Sequence, residues 1–112
     1  MVDPRSLFGP PTENDVKTVE HQIKDLEFLL EDTRADIRDS EGTWANLRHI
    51  NSRADAEGDL HTLGSVTLMM YELGMRLRQL KRKLREISED IESKKEDLQM
   101  IITELSSGKS GH

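Results

Sequence analysis

Cysteine is absent from this 112-residue chain, which excludes disulfides, iron-sulfur clusters and thiolate zinc sites and permits a reducing compartment. Aromatic residues make up only 4% of it, and the 34% hydrophobic content is matched by 34% charged content. That leaves too little apolar material for an ordinary globular core. Long helices meeting along narrow seams suit such a composition, because only one stripe of each helix has to be apolar. Residues 1 to 11 hold all three prolines and no apolar signal core, and no run approaches the roughly 18 apolar residues of a membrane span. The expectation is a soluble intracellular protein, cytoplasmic or nuclear, with no membrane span. The net charge of -6 argues weakly against generic nucleic-acid binding.

Charge is laid out in blocks. Residues 14 to 41 carry nine acidic and four basic side chains, residues 72 to 85 one acidic and six basic, and residues 86 to 104 seven acidic and two basic. Residues 1 to 11 and the Ser/Gly-rich residues 106 to 112 read as flexible tails around one helical domain, 12 to 105. Residues 49 to 59 form the only internal stretch rich in turn-forming types, which places the link between two helices there.

Thr12 and Asp15 have capping-box spacing, with Asp in place of Glu, and open a first helix over about 13 to 48. Its stripe, in alternating steps of three and four, is Val16, Val19, Ile23, Leu26, Leu30, Thr33, Ile37, Ser40, Trp44 and Leu47. This is the a/d pattern of a coiled coil with two polar interruptions. The second helix, about 59 to 105 with Asp59 as its N-cap and Ser52 as an earlier alternative, carries Leu63, Val66, Met70, Leu73, Leu77, Leu80, Leu84, Ile87, Ile91, Lys94, Leu98, Ile101 and Leu105. Twelve of those thirteen seam positions are apolar, Lys94 being the exception, and the twelve are the candidate self-association residues.

The two stripes are out of phase, since continuing the first would place a seam residue at Ser65, between Leu63 and Val66. A turn at about 49 to 58 explains the break. Folding back near residue 55 pairs positions whose numbers sum to about 110, such as Leu30 with Leu80 and Ile37 with Leu73. In that register the basic block opposes residues 25 to 38, which hold five acids and two arginines, so charge favours an antiparallel helical hairpin over a parallel coiled coil. In a parallel dimer of the second helix, Arg76 at g would face Lys81 at e of the other chain.

A lone hairpin buries only a thin seam, and residues 60 to 77 are apolar nearly all round. Leu68 and Met75 fall at f, Tyr71 at b and Met69 at g, which calls for further cover by a second hairpin or a partner's helix. Two copies of residues 63 to 105 can pair antiparallel about a centre between Arg85 and Glu86, with Lys83 meeting Asp90 and Arg76 meeting Asp97. The expected fold class is therefore all-α, an antiparallel hairpin of coiled-coil type that dimerises into an antiparallel four-helix bundle.

Chemistry finds little purchase. His21, His49, His61 and His112 form no pair with metal-ligand spacing. Asp55-Ala56-Glu57-Gly58-Asp59 resembles the start of a calcium loop, but an EF-hand numbered from Asp55 would need Gly and Glu where Leu60 and Val66 stand. There is no nucleophile elbow and no phosphate loop. No enzyme activity, cofactor, metal or small-molecule substrate is expected. The basic run Arg76, Arg78, Lys81, Arg82, Lys83 and Arg85 is the one feature that suits an external anion, with Arg78, Arg82 and Arg85 turned away from the seam at b and f. It lacks interleaved aromatics for base stacking.

Trp44-Ala45-Asn46 lacks the glycine of the Trp-x-Gly turn found in small secreted bacterial helical hairpins, and residues 49 to 59 lack the strand alternation that links the helices of prefoldin-like chaperones. No family is assigned, and Trp44 reads as a core residue capping the seam near the turn. The functional expectation is a non-enzymatic oligomerisation, scaffold or adaptor module that binds itself and another protein through helix packing, with Leu68, Tyr71, Met75, Arg78, Arg82 and Arg85 as candidate partner surface. One alternative is a small nucleic-acid-binding bundle using the three arginines. Another is an export or assembly chaperone that covers a partner's amphipathic helix.

Overall fold

The capping box forms as spaced. The Thr12 amide donates to Asp15 Oδ2 at 2.7 Å, and the Asp15 amide approaches Thr12 Oγ1 at 3.4 Å, satisfying amides that have no partner inside the helix. From that start the computed structural model, which describes residues 11 to 110, runs through helix α1, Glu13–Glu57, and helix α2, Leu60–Ser110. The two pack as a hairpin, with no strand among the described residues.

The link is much shorter than residues 49 to 58. Residues 49 to 57 continue α1, and the reversal is confined to Gly58 and Asp59. Two features hold the turn-forming residues in helix. Ala54 is buried, at 4% exposure, so the three-four stripe runs on from Leu47 through Asn51 to Ala54. Asn51 also extends its amide to within 3.5 Å of Thr67 Oγ1 on α2. Gly58 then ends the helix at a φ of 70°, a left-handed conformation that glycine adopts without a Cβ penalty. The amide of Gly58 donates to the Asp55 carbonyl at 3.2 Å and that of Asp59 to the Ala54 carbonyl at 2.9 Å, the paired bonds of a Schellman ending.

Asp59 caps α2 directly after the glycine. Thr62 donates its hydroxyl to Oδ2 at 2.6 Å and its amide to Oδ1 at 3.1 Å. These bonds favour the charged form and hold the carboxyl below its ordinary value of 3.8. With no intervening loop, the two caps account for the phase break between the stripes. At the far end, residues 106 to 110, expected as tail, extend α2 instead. The expected tail positions 1 to 10, 111 and 112 lie outside the described residues.

Moving the turn moves the register. Asn51 meets Thr67, and Trp44 lies against Gly74, pairs that sum to 118 rather than 110. The basic block 72 to 85 therefore opposes residues 33 to 46, with three acids and two arginines, and among the described residues its one ion pair across the hairpin is Lys81 to Glu41 at 3.9 Å. Charge complementarity between the helices is thus weaker than the earlier turn implied, and the apolar seam carries the pairing.

The chain divides into two compact units. In the turn unit, Leu30–Glu86, the core consists of Ile37, Ala54 and Val66 with Thr33, the most enclosed residue at 2% exposure. Thr33 is a polar residue in the apolar stripe, yet it leaves no orphaned group, since no buried side-chain nitrogen or oxygen among the described residues lacks a partner. Trp44 packs in mid-seam, its Cζ3 within 3.6 Å of where a Gly74 Cβ would stand. It lies 14 residues before Gly58, so it fills the seam rather than closing its turn end. In the open-end unit, through Leu29 and from Ile87, the buried apolar residues are Ile23, Ile87 and Ile91. Lys94 is half-buried on the same stripe.

Candidate functional site

Every seam position of α2, from Leu63 to Leu105, is buried or half-buried in the single chain. Of the twelve candidate self-association residues, Val66, Ile87 and Ile91 are buried and the other nine half-buried. Residues outside the seam define what remains available to a partner.

On α2, Leu68, Tyr71, Met75, Arg78, Arg82 and Arg85 follow one another in steps of three and four, so a single helical face collects them. That face lies opposite the seam. Leu68 is 59% exposed, Tyr71 66% and Met75 46%, and the three arginines are exposed as well. The structure therefore joins in one stripe two groups that the sequence had singled out separately, one apolar and one basic. Arg78, Arg82 and Arg85 have no carboxylate within ion-pairing distance among the described residues, whereas Lys81, one position off the stripe, reaches Glu41.

The same steps continue past Arg85 to Glu89, Glu92 and Glu96, all exposed. Sequence reasoning treated these acids as part of a block and missed that they extend the arginine face. Counting three and four onward from Arg85 was the available signal. Glu92 lies 3.9 Å from Lys95 on its own helix, with both side chains largely in solvent, a pairing that offers little stabilisation.

Three surface depressions among the described residues are open grooves. Two flank Trp44, one of about 350 Å³ bordered by Arg48 and His49 and one of about 380 Å³ bordered by Glu41 and Lys81. A third, about 460 Å³, runs along α2 in the open-end unit between Glu96, Gln99, Met100, Thr103 and Glu104. Among the described residues no cluster of three or more His, Cys, Asp or Glu could hold a metal ion. His21, His49 and His61 stand exposed, and His112 lies outside the described residues. No helix among them is long and apolar enough to cross a membrane.

No family model matches the chain, and neither a curated protein nor a solved structure is significantly similar to it.

Proposed function

We propose that this protein is a non-enzymatic oligomerisation or adaptor module that acts through helix packing, with a second copy of itself as one partner. The observation that carries this reading is the exposed apolar strip Leu68, Tyr71 and Met75, with Met69 beside it, on the face of α2 that α1 cannot reach. A hairpin buries one stripe per helix, and a second apolar stripe on the outside gains stability only when another surface covers it. Replacing Leu68, Tyr71 and Met75 with Ser, Gln and Gln should leave helix content largely intact, because none of the three contributes to the hairpin core. It should weaken self-association and partner capture together. Unchanged oligomeric mass and unchanged partner binding in the triple variant would remove the strip from the account. Covering a client's amphipathic helix, as an export or assembly chaperone does, would use the same strip.

The unpaired arginines support a second reading, a small nucleic-acid-binding bundle in which Arg78, Arg82 and Arg85 contact phosphates. Mixed RNA and DNA in a gel shift test it directly: a complex that weakens steeply with salt and disappears on replacing the three arginines would establish it.

A further inference from the structure

The outer stripe of α2 changes character three times along its length. It is apolar at Leu68, Tyr71 and Met75, basic at Arg78, Arg82 and Arg85, acidic at Glu89, Glu92 and Glu96, and small and polar at Gln99, Thr103 and Ser106. All twelve positions are exposed. Reversed, its charged runs are their own complement. We propose that a second copy of this chain docks antiparallel on this stripe, with partner positions that sum to 174, so that Arg85 meets Glu89 of the other copy, Arg82 meets Glu92 and Arg78 meets Glu96. The proposal rests on the oligomerisation reading above and names the face it uses.

Three observations choose this occupant and this direction. First, Arg78, Arg82 and Arg85 form no ion pair among the described residues, and the register that sums to 118 sets only three acids and two arginines of α1 against the whole basic block. Second, a parallel copy would stack the arginines on arginines and the glutamates on glutamates, whereas the antiparallel copy makes six opposite-sign contacts. Like charges directly apposed act against an arrangement and so select orientation. Third, continuing the register beyond the charges places Met75 and Tyr71 over Gln99 and Thr103 of the other copy. Those two residues border the 460 Å³ groove that Met100 also lines. The exposed apolar pair of one copy thus meets the open groove of the other. This arrangement differs from pairing through the seam residues Leu63 to Leu105, which line the hairpin's own seam.

The experiment is a charge swap read by sedimentation equilibrium. The wild-type chain should be dimeric at low salt, and raising NaCl from about 0.05 to 0.5 M should weaken the dimer by about tenfold or more as the contacts are screened. R78E/R82E/R85E and E89R/E92R/E96R should each be monomeric, since each sets like charges against like. Mixed in equal amounts they should form a heterodimer, because every contact between the two variants is again of opposite sign. Recovery on mixing also shows that neither variant has failed to fold. Self-association of either variant as tight as the wild type's would overturn the proposed face while leaving the oligomerisation reading standing. A monomeric wild type at low salt would remove both. As a check on register, a copy carrying Arg85→Cys should form a disulfide with a copy carrying Glu89→Cys more readily than Lys83→Cys does with Asp90→Cys. The reverse preference would place the dimer on the seam side of α2 and overturn the outer face.

Discussion

The turn half of the hairpin, residues 30 to 86, carries ten acidic and ten basic side chains, whereas residues 13 to 29 and 87 to 107 of the open-end half carry eleven acidic and four basic. The first is neutral and the second stands at -7. Backbone chemistry differs as well. Three glycines, Gly42, Gly64 and Gly74, lie within the helices of the turn half, and residues 13 to 29 and 87 to 107 contain none. The turn half thus combines weaker intrinsic helices with balanced charge and a well-capped reversal. The open-end half combines strong helix formers with acids on both of its segments. Apolar contact has to hold the open-end segments together against their own charge, so Ile23, Ile87 and Ile91 carry a heavier burden there than Ile37 and Val66 do near the turn.

The largest expected effect breaks that contact. Ile91→Ala should lower stability in a urea melt by about 2 to 3 kcal/mol, at the lower end of the range for such truncations because an open seam can relax. Amide exchange should accelerate mainly in residues 13 to 29 and 87 to 107. Equal acceleration in residues 30 to 86 would show that the two halves open as one.

The turn is the next place to separate them. Gly58→Ala puts a side chain at a φ of 70° and should cost about 1 to 2 kcal/mol, seen as a lower urea midpoint with unchanged slope. An unchanged midpoint would mean that the Asp59 cap, and not the glycine, fixes the reversal. Lys94→Leu works in the opposite direction in the open-end half. It replaces the one charged residue of the α2 stripe and should stabilise by something like 1 kcal/mol. A lower melting temperature in that variant would reveal a partner for the ammonium. Smallest is Gly64→Ala, where an added Cβ meets open space and better helix propensity should add about 0.5 to 1 kcal/mol. A loss there would mean that another chain approaches α2 at Gly64.

Both seams were legible in the sequence residue by residue, because a three-four repeat of apolar types is what a hairpin core requires. The end of α1 was not. Residues 49 to 57 include His49, Asn51, Ser52 and Asp55, types that favour turns when taken alone, and their helical state depends on Ala54 being buried and on Asn51 reaching Thr67 on α2. Tertiary contact overrode local preference there. The useful sign was the adjacency of Gly58 and Asp59, a helix-stopping residue directly followed by a helix-starting one. That misplacement also shifted the register and overstated the attraction between the basic block and α1. Leu68, Tyr71, Met75 and the three arginines were recognised correctly as facing away from the seam. Their union with Glu89, Glu92 and Glu96 was available by counting on in steps of three and four, since α2, Leu60–Ser110, covers the single helix expected over 59 to 105, but block counting of charge hid it.

The mass of the unmodified chain in solution, followed by sedimentation equilibrium across a salt series, tests the account most directly. Twice the 12.8 kDa chain mass at low salt, falling toward the single-chain value as salt rises, is the predicted result. A mass of one chain throughout the series would contradict it.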